Sequence, residues 1–380
     1  MLLGLAAMLA SPVVTAQNSE AEGPPSPWLL TPLLSVDPKL GTNVGGLAAY
    51  LRRFDEESPI SMMGAAISYS NTDSLVSGMF ADLYWGGDHH RLVGAAAYGD
   101  IKNEYDDFLG SGRTVETVDD LRSVFLRYRY RFWGNWFVGG QLIRTNYQID
   151  FPPNQVVIDQ QVGYLGFNST GAGLVLEMDG RNHIRTPTQG NYFLIDTVSY
   201  RSGEAGAGIA ADESRLDDLL PDDSLLNRDG EFGVLRATYS HYSPLGHWLT
   251  ESAAPEVVLA IRAFGRWTDD APLSGFSSVS MPGYTRGNYL GENYSDIQFD
   301  LRMPVSARWG IVLFGGIGCL YGDPIAANDS SSGCSDNAYP GIGAGVSWLI
   351  KPESGVILRA EAAKGIGDNS ALYLRFGHPF

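Results

Sequence analysis

Residues 122–132 read Arg-Ser-Val-Phe-Leu-Arg-Tyr-Arg-Tyr-Arg-Phe. Successive side chains of an extended strand point to opposite faces. Val124, Leu126, Tyr128, Tyr130 and Phe132 therefore share one face, and Arg127, Arg129 and Arg131 occupy the other. A row of three arginines cannot face hydrocarbon, whereas an apolar row can. Such a strand fits a membrane-spanning barrel, apolar outside and charged towards a hydrated lumen. A soluble sandwich would have to bury one of these rows against a second sheet, and arginine rows are not tolerated there.

The same alternation recurs along the chain. In 294–303, Ile297, Phe299, Leu301 and Met303 alternate with Asp296, Gln298, Asp300 and Arg302. Val257, Leu259, Ile261 and Ala263 are expected outside, with Arg262 and Arg266 inside. Val356, Leu358 and Ala360 are likewise expected outside, with Arg359 and Glu361 inside. Segments of this kind between Trp28 and Phe380 number about sixteen, the even count that returns both ends of a bacterial barrel to one side of the membrane. The pattern is weakest at 91–98, which is alanine-rich, and at 156–177, which reads as one long strand or as a loop with a hairpin.

Composition agrees with an all-β chain. The 380 residues include 46 glycines and 19 tyrosines, with 18% charged residues, as expected for many strands joined by turns. Beyond the N-terminus no run of about 18 apolar residues occurs, which excludes a helical membrane protein. The formal charge of -17 argues against nucleic acid as a partner, because phosphates would be repelled. Acidic loops at a lipopolysaccharide surface are expected to be solvated, with divalent cations as possible ligands. Residues 1–16 are apolar and end Val14-Thr15-Ala16, which reads as a cleaved export signal that lacks a basic start. Residues 17–27, rich in Pro, Ser and Glu, read as a short periplasmic linker, and 28–380 as the barrel.

Connection lengths alternate. Those near Glu56, Asp88, Gly134, Ser306 and Pro352 are short, and those at 103–118, 202–228, 268–292 and 321–337 are long. Short turns are periplasmic and long loops extracellular in outer-membrane barrels. Cys319 and Cys334, close in sequence in an exported chain, are expected to close an extracellular loop as a disulfide.

The chain ends Tyr373-Leu374-Arg375-Phe376-Gly377-His378-Pro379-Phe380, with Leu372, Leu374, Phe376 and Phe380 on one parity. This resembles the C-terminal β-signal that the outer-membrane assembly machinery reads. Two further passages resemble the bacterial surface antigen superfamily of barrels, which includes BamA, TamA and the two-partner secretion transporters. Asp179-Gly180-Arg181-Asn182, followed by Thr186-Pro187-Thr188-Gln189-Gly190-Asn191-Tyr192-Phe193, is similar to that family's D-x-R-[DN] and P-T-x-G-x-Y-F turn. Here Pro187 fixes one backbone angle and Gly190 permits an unusual one where the next strand begins.

Met281-Pro282-Gly283-Tyr284-Thr285-Arg286-Gly287 occupies the position of the family's sixth loop, whose R-G-[FY] tip folds into the lumen. Gly283 and Tyr284 match, but Pro282 stands where the arginine belongs. The partner pattern F-x-D-x-G reads Phe314-Gly315-Gly316-Ile317-Gly318, so the aspartate is also missing. Losing both avoids an uncompensated buried charge. The resemblance implies that Arg286 substitutes, pairing with Asp300 or Asp296; the alternative is an ordinary loop arginine.

No hydrolase, zinc-protease, phosphate-loop or C-x-x-C motif appears, and no cofactor or metal is expected. His89 and His90 fall in a short turn. His183, His241 and His247 lie near turns, each without a consistent serine or carboxylate partner. The chain is read as a non-enzymatic barrel related to assembly or translocation barrels without their periplasmic POTRA domains, acting on client proteins. Pro379 is expected to remove a ladder donor and weaken the seam between first and last strands. The competing reading is a passive channel or surface structural protein whose lumenal charges set ion preference.

Overall fold

The computed structural model describes residues 26–37, 41–105, 115–150, 162–203, 207–209, 231–247, 256–269, 271, 275–284, 289–322, 334, 337–352, 355–367 and 369–380. The expected leader at 1–16 and nearly all of the linker at 17–27 lie outside the described residues. No helix is long and apolar enough to cross a membrane.

The described residues form nineteen strands, sixteen of them long. They are β1 (Trp28–Asp37), β2 (Gly41–Arg52), β3 (Ser61–Ser70), β4 (Leu75–Trp85), β5 (His90–Tyr105), β6 (Val115–Trp133), β7 (Trp136–Asp150), β8 (Val162–Asp179), β9 (Gly190–Gly203), the short β10 (Ala207–Ile209), β11 (Glu231–Gly246), β12 (Val257–Asp269), the two-residue β13 (Ser277–Ser278) and β14 (Leu290–Gly291), β15 (Asn293–Pro304), β16 (Trp309–Tyr321), β17 (Ala338–Lys351), β18 (Val356–Lys364) and β19 (Ser370–Phe376). Each long strand pairs antiparallel with the next, β9 passing directly to β11 and β12 to β15. This is a sixteen-stranded transmembrane meander. β1 and β19 come side by side at the seam, where no ladder register joins them among the described residues.

The parity read from the sequence holds on β6. Val124, Leu126, Tyr128, Tyr130 and Phe132 are exposed on the outer wall, and Arg127 and Arg129 are buried inside. It holds equally on β15, where Asp296, Gln298, Asp300 and Arg302 are buried. The alanine-rich 91–98 is part of β5, because small side chains suffice on a wall packed from only one side. The doubtful 156–177 becomes the single strand β8 from Val162 onwards, while 156–161 lie outside the described residues. Aromatic side chains ring the short-turn end of the outer wall: Trp28 with Tyr50, Trp85 with His90 and Trp309 with Trp348 are ring pairs. Such amphipathic rings suit a membrane interface.

Four expectations need correction. Val356 and Leu358 are not open to lipid: both are buried, and Val356 packs with Leu29, Ala49 and Leu51 beside the seam. Phe380 leaves the lipid-facing row, because Gly377, at φ +76°, turns the chain after β19 and sends the tail into the lumen. Since β19 ends at Phe376, Pro379 removes no ladder donor. His241 is also a strand residue, on β11, where Nδ1 lies 2.8 Å from Asn191 Oδ1. Cys319 and Cys334 form a disulfide with a Cα separation of 5.3 Å.

Candidate functional site in the lumen

The lumenal rows of neighbouring strands bring arginines and carboxylates together in three clusters. In the first, at the short-turn end, Arg91 on β5 donates to Asp88 (2.8 and 2.7 Å), Glu177 (2.9 Å) and Asp179 (2.7 Å). Arg129 also engages Glu177, and Arg131 engages Asp88. Asp179 accepts from both Arg91 and Arg181; Arg181 Nε and Nη2 reach its two oxygens at 2.8 and 2.9 Å. The Asp179/Arg181 turn is thus a bidentate clasp facing inwards, with the Arg181 guanidinium 4.3 Å from the centre of the Tyr192 ring. In that turn, the carboxylate of Asp179 holds Arg181 firmly protonated against the opposing effect of burial. Gly190, at φ +113°, packs so closely on Gly180 that a Cβ there would lie 2.1 Å from the Gly180 carbonyl oxygen. Only glycine fits that crossing.

In the second cluster Arg127 and Arg236 share Asp196, with Gln141 bridging. The third joins the turn motif to the end of the chain. Arg359 is fully buried and grips Asp300 with both terminal nitrogens, at 2.9 and 2.7 Å. Arg302 donates to Asp300 (2.7 Å), to the carbonyl of Pro187 (2.8 Å) and to the carbonyl of Phe380 (2.8 Å). His378 Nδ1 accepts from Arg359 at 3.0 Å, and the Arg262 guanidinium lies over the Phe380 ring at 5.4 Å. Burial, followed by the charge of Arg302, holds the His378 imidazole well below its ordinary pKa, so it is neutral. Phe376 packs near the seam against clusters that include Leu29 and Leu33.

Above these clusters, residues 275–284 of the loop between β12 and β15 lie on the inner wall. Val279, Met281 and Tyr284 are buried with Tyr294 of β15 and Leu320 of β16. Wall donors hold the loop backbone: Arg266 donates to the Gly275 carbonyl and to Ser277 Oγ, both at 2.6 Å, and Gln298 to the Ser280 carbonyl at 3.2 Å. The Gly283 amide donates to the Tyr373 hydroxyl at 3.0 Å. The Tyr284 hydroxyl donates to the Pro340 carbonyl at 2.9 Å and accepts from the Ile366 amide at 3.0 Å. Glycines make the seat. A Cβ on Gly341 would lie 2.3 Å from the Pro282 carbonyl oxygen, one on Gly365 2.5 Å from the Tyr284 ring, and one on Gly318 2.9 Å from Met281.

The structure therefore places Gly283 and Tyr284 against β17, β19 and the β18–β19 turn. Asp296 is engaged by Arg262 at 2.9 Å, and Asp300 by Arg359 and Arg302. Arg286 lies outside the described residues. Arg359, Glu361 and His378 complete the Asp300 cluster. The alternation on β18 marked Arg359 and Glu361 as inward-facing, but nothing local marked their partner.

No family model matches the sequence, and no curated protein matches it. Among solved structures it is similar to BamA from Haemophilus ducreyi lacking POTRA domains 1-3, with a TM-score of 0.52 and 14% identity over 93% of this chain and 69% of that one. CdiB from Escherichia coli aligns with a TM-score of 0.58 and 14% identity, covering 97% of this chain and 66% of that one. For CdiB from Acinetobacter baumannii the values are 0.56, 11%, 92% and 59%. The chain thus spans less than two thirds of the length of either CdiB. The fold is similar to that of the BamA and CdiB barrels; in this chain it consists of sixteen long antiparallel strands with residues 275–284 packed on the inner wall.

Proposed function

We propose that this chain is an outer-membrane barrel of the surface-antigen type, working in the insertion or translocation of client proteins with its lumen closed by the 275–284 segment. The observation that carries the reading is the docked loop together with a β1–β19 seam at which no ladder register occurs among the described residues. A lumen occupied by a loop and by paired charges is poorly suited to steady solute flow, and a seam without a continuous ladder register is the weakest line in a barrel wall. The long-loop end is taken as extracellular, with lipopolysaccharide around it. The barrel itself would be assembled by the outer-membrane machinery. The proposed role involves no catalytic step.

Planar-bilayer recording of the refolded barrel tests this, with and without residues 274–292. Low, unstable conductance that becomes large and steady on deletion supports a plugged barrel. Large, steady conductance in both favours the passive channel and removes the proposal.

A further inference from the structure

The apolar outer wall ends abruptly at one level on β6–β9. On β6 the outward row runs Phe132, Tyr130, Tyr128, Leu126, Val124 and then Arg122; on β7 it runs Val138, Gly140, Leu142 and then Arg144. Arg144 is level with Thr170 of β8, and Thr170 with Arg201 of β9. At about 4.8 Å per strand, Arg144 and Arg201 are about 10 Å apart at their Cα atoms. Arg122 stands one diagonal step from Arg144, opposite Asn146. Arg122 pairs with Asp120, two positions away on β6 itself, and Arg201 with Glu231, level with it on β11. Arg144 is exposed and has no carboxylate partner among the described residues.

Directly below this row the wall is notched. The β8–β9 ladder is interrupted between the pairs Ala172↔Ser199 and Val175↔Asp196. In the gap the Leu174 amide lies 3.4 Å from the Thr197 hydroxyl, which accepts from it. The result is an open outer groove of about 520 Å³, with Gly173, Ser199 and Gly233 along it and Leu174, Leu235 and Trp267 at its lower edge. Cations above a mainly apolar groove, with Thr268 and Asp269 on its β12 side, match a phosphate above an acyl chain, because the guanidinium offers paired donors to phosphate oxygens.

We propose that the outer wall of β6–β9 binds a phosphorylated glycolipid of the outer leaflet, its phosphate between Arg144 and Arg201 and one acyl chain in the groove over Gly233. This rests on the outer-membrane reading above, which fixes the leaflet. Neither loop docking nor the seam enters it.

Native mass spectrometry of the folded barrel in detergent, titrated with diphosphorylated hexa-acyl lipid A, tests the site. The wild type is expected to retain bound lipid A. Arg144→Gln with Arg201→Gln is expected to weaken retention by about thirtyfold, since each of the two cations near an anionic headgroup contributes about 1 kcal/mol. Gly233→Leu is expected to fill the groove with the same effect, and it leaves the fold intact because a Cβ there meets nothing within 4 Å. Unchanged retention in both variants overturns the site, as does equal uptake of phosphatidylglycerol by the wild type. Heat-modifiable gel migration reports barrel folding separately, so a misassigned site is distinguished from a chain that is not a membrane barrel.

Discussion

Replacing Gly341 by leucine should expel the loop from the lumen. The seat is close to balanced. Burying Val279, Met281 and Tyr284 contributes about 2 kcal/mol each. The six bonds from wall to loop contribute about 1 kcal/mol each. Ordering residues 275–284 costs about 1 kcal/mol per residue. Docking is then favoured by about 2 kcal/mol. A Cβ at position 341 would sit 2.3 Å from the Pro282 carbonyl oxygen, a backbone atom that cannot rotate away. Relieving that overlap costs more than the margin, and about 2 kcal/mol is already a factor of about thirty in population. Planar-bilayer recording should show small openings for the wild type and sustained, larger ones for Gly341→Leu. Gly46→Leu is the control, because a Cβ there meets nothing within 4 Å. If Gly341→Leu folds and its conductance equals that of the wild type, the glycine seat does not hold the loop.

Three further outcomes follow from the lumen and the long loops. Asp300→Ala leaves Arg302 and Arg359 buried around an empty carboxylate site and should cost about 3–5 kcal/mol in urea unfolding from lipid vesicles, with Arg359→Met in the same chain recovering part of it; a loss under about 1 kcal/mol would show that the cluster is solvated. Reducing the Cys319–Cys334 bridge, which closes a 15-residue separation, should cost about 3 kcal/mol by the chain-entropy argument, read in the same unfolding experiment with and without reductant. The docked tail should respond to acid. His378 is held neutral below its ordinary pKa, so its contribution is present above about pH 6.5 and is lost as pH falls. The protection factors of the Gly377, His378 and Phe380 amides, that is, exchange relative to the intrinsic rate at each pH, should be lower at about pH 5 than at about pH 8, and equal protection factors at both would show that the tail is not held through His378.

The class of fold and the two faces of most strands were legible in the order of residues alone. Parity is a local property: Arg127, Arg129 and Arg131 share a face whatever lies beside them, and Tyr128 and Tyr130 share the other. Turn lengths, the Pro187–Gly190 turn and the inward residues of β15 were legible for the same reason. Which charge meets which depends on the folded wall. Asp300 finds Arg359, 59 positions further along the chain, and Pro187 meets Arg302, 115 away, because strand register and the curvature of the wall bring distant rows together across the lumen. Val356 and Leu358 had the alternation of outward residues, yet the seam covers them. Phe380 had the parity of a lipid-facing residue, yet one left-handed glycine at 377 aims it inwards. A period of two fixes the side of the sheet on which a residue stands, while its partner depends on how the whole sheet closes.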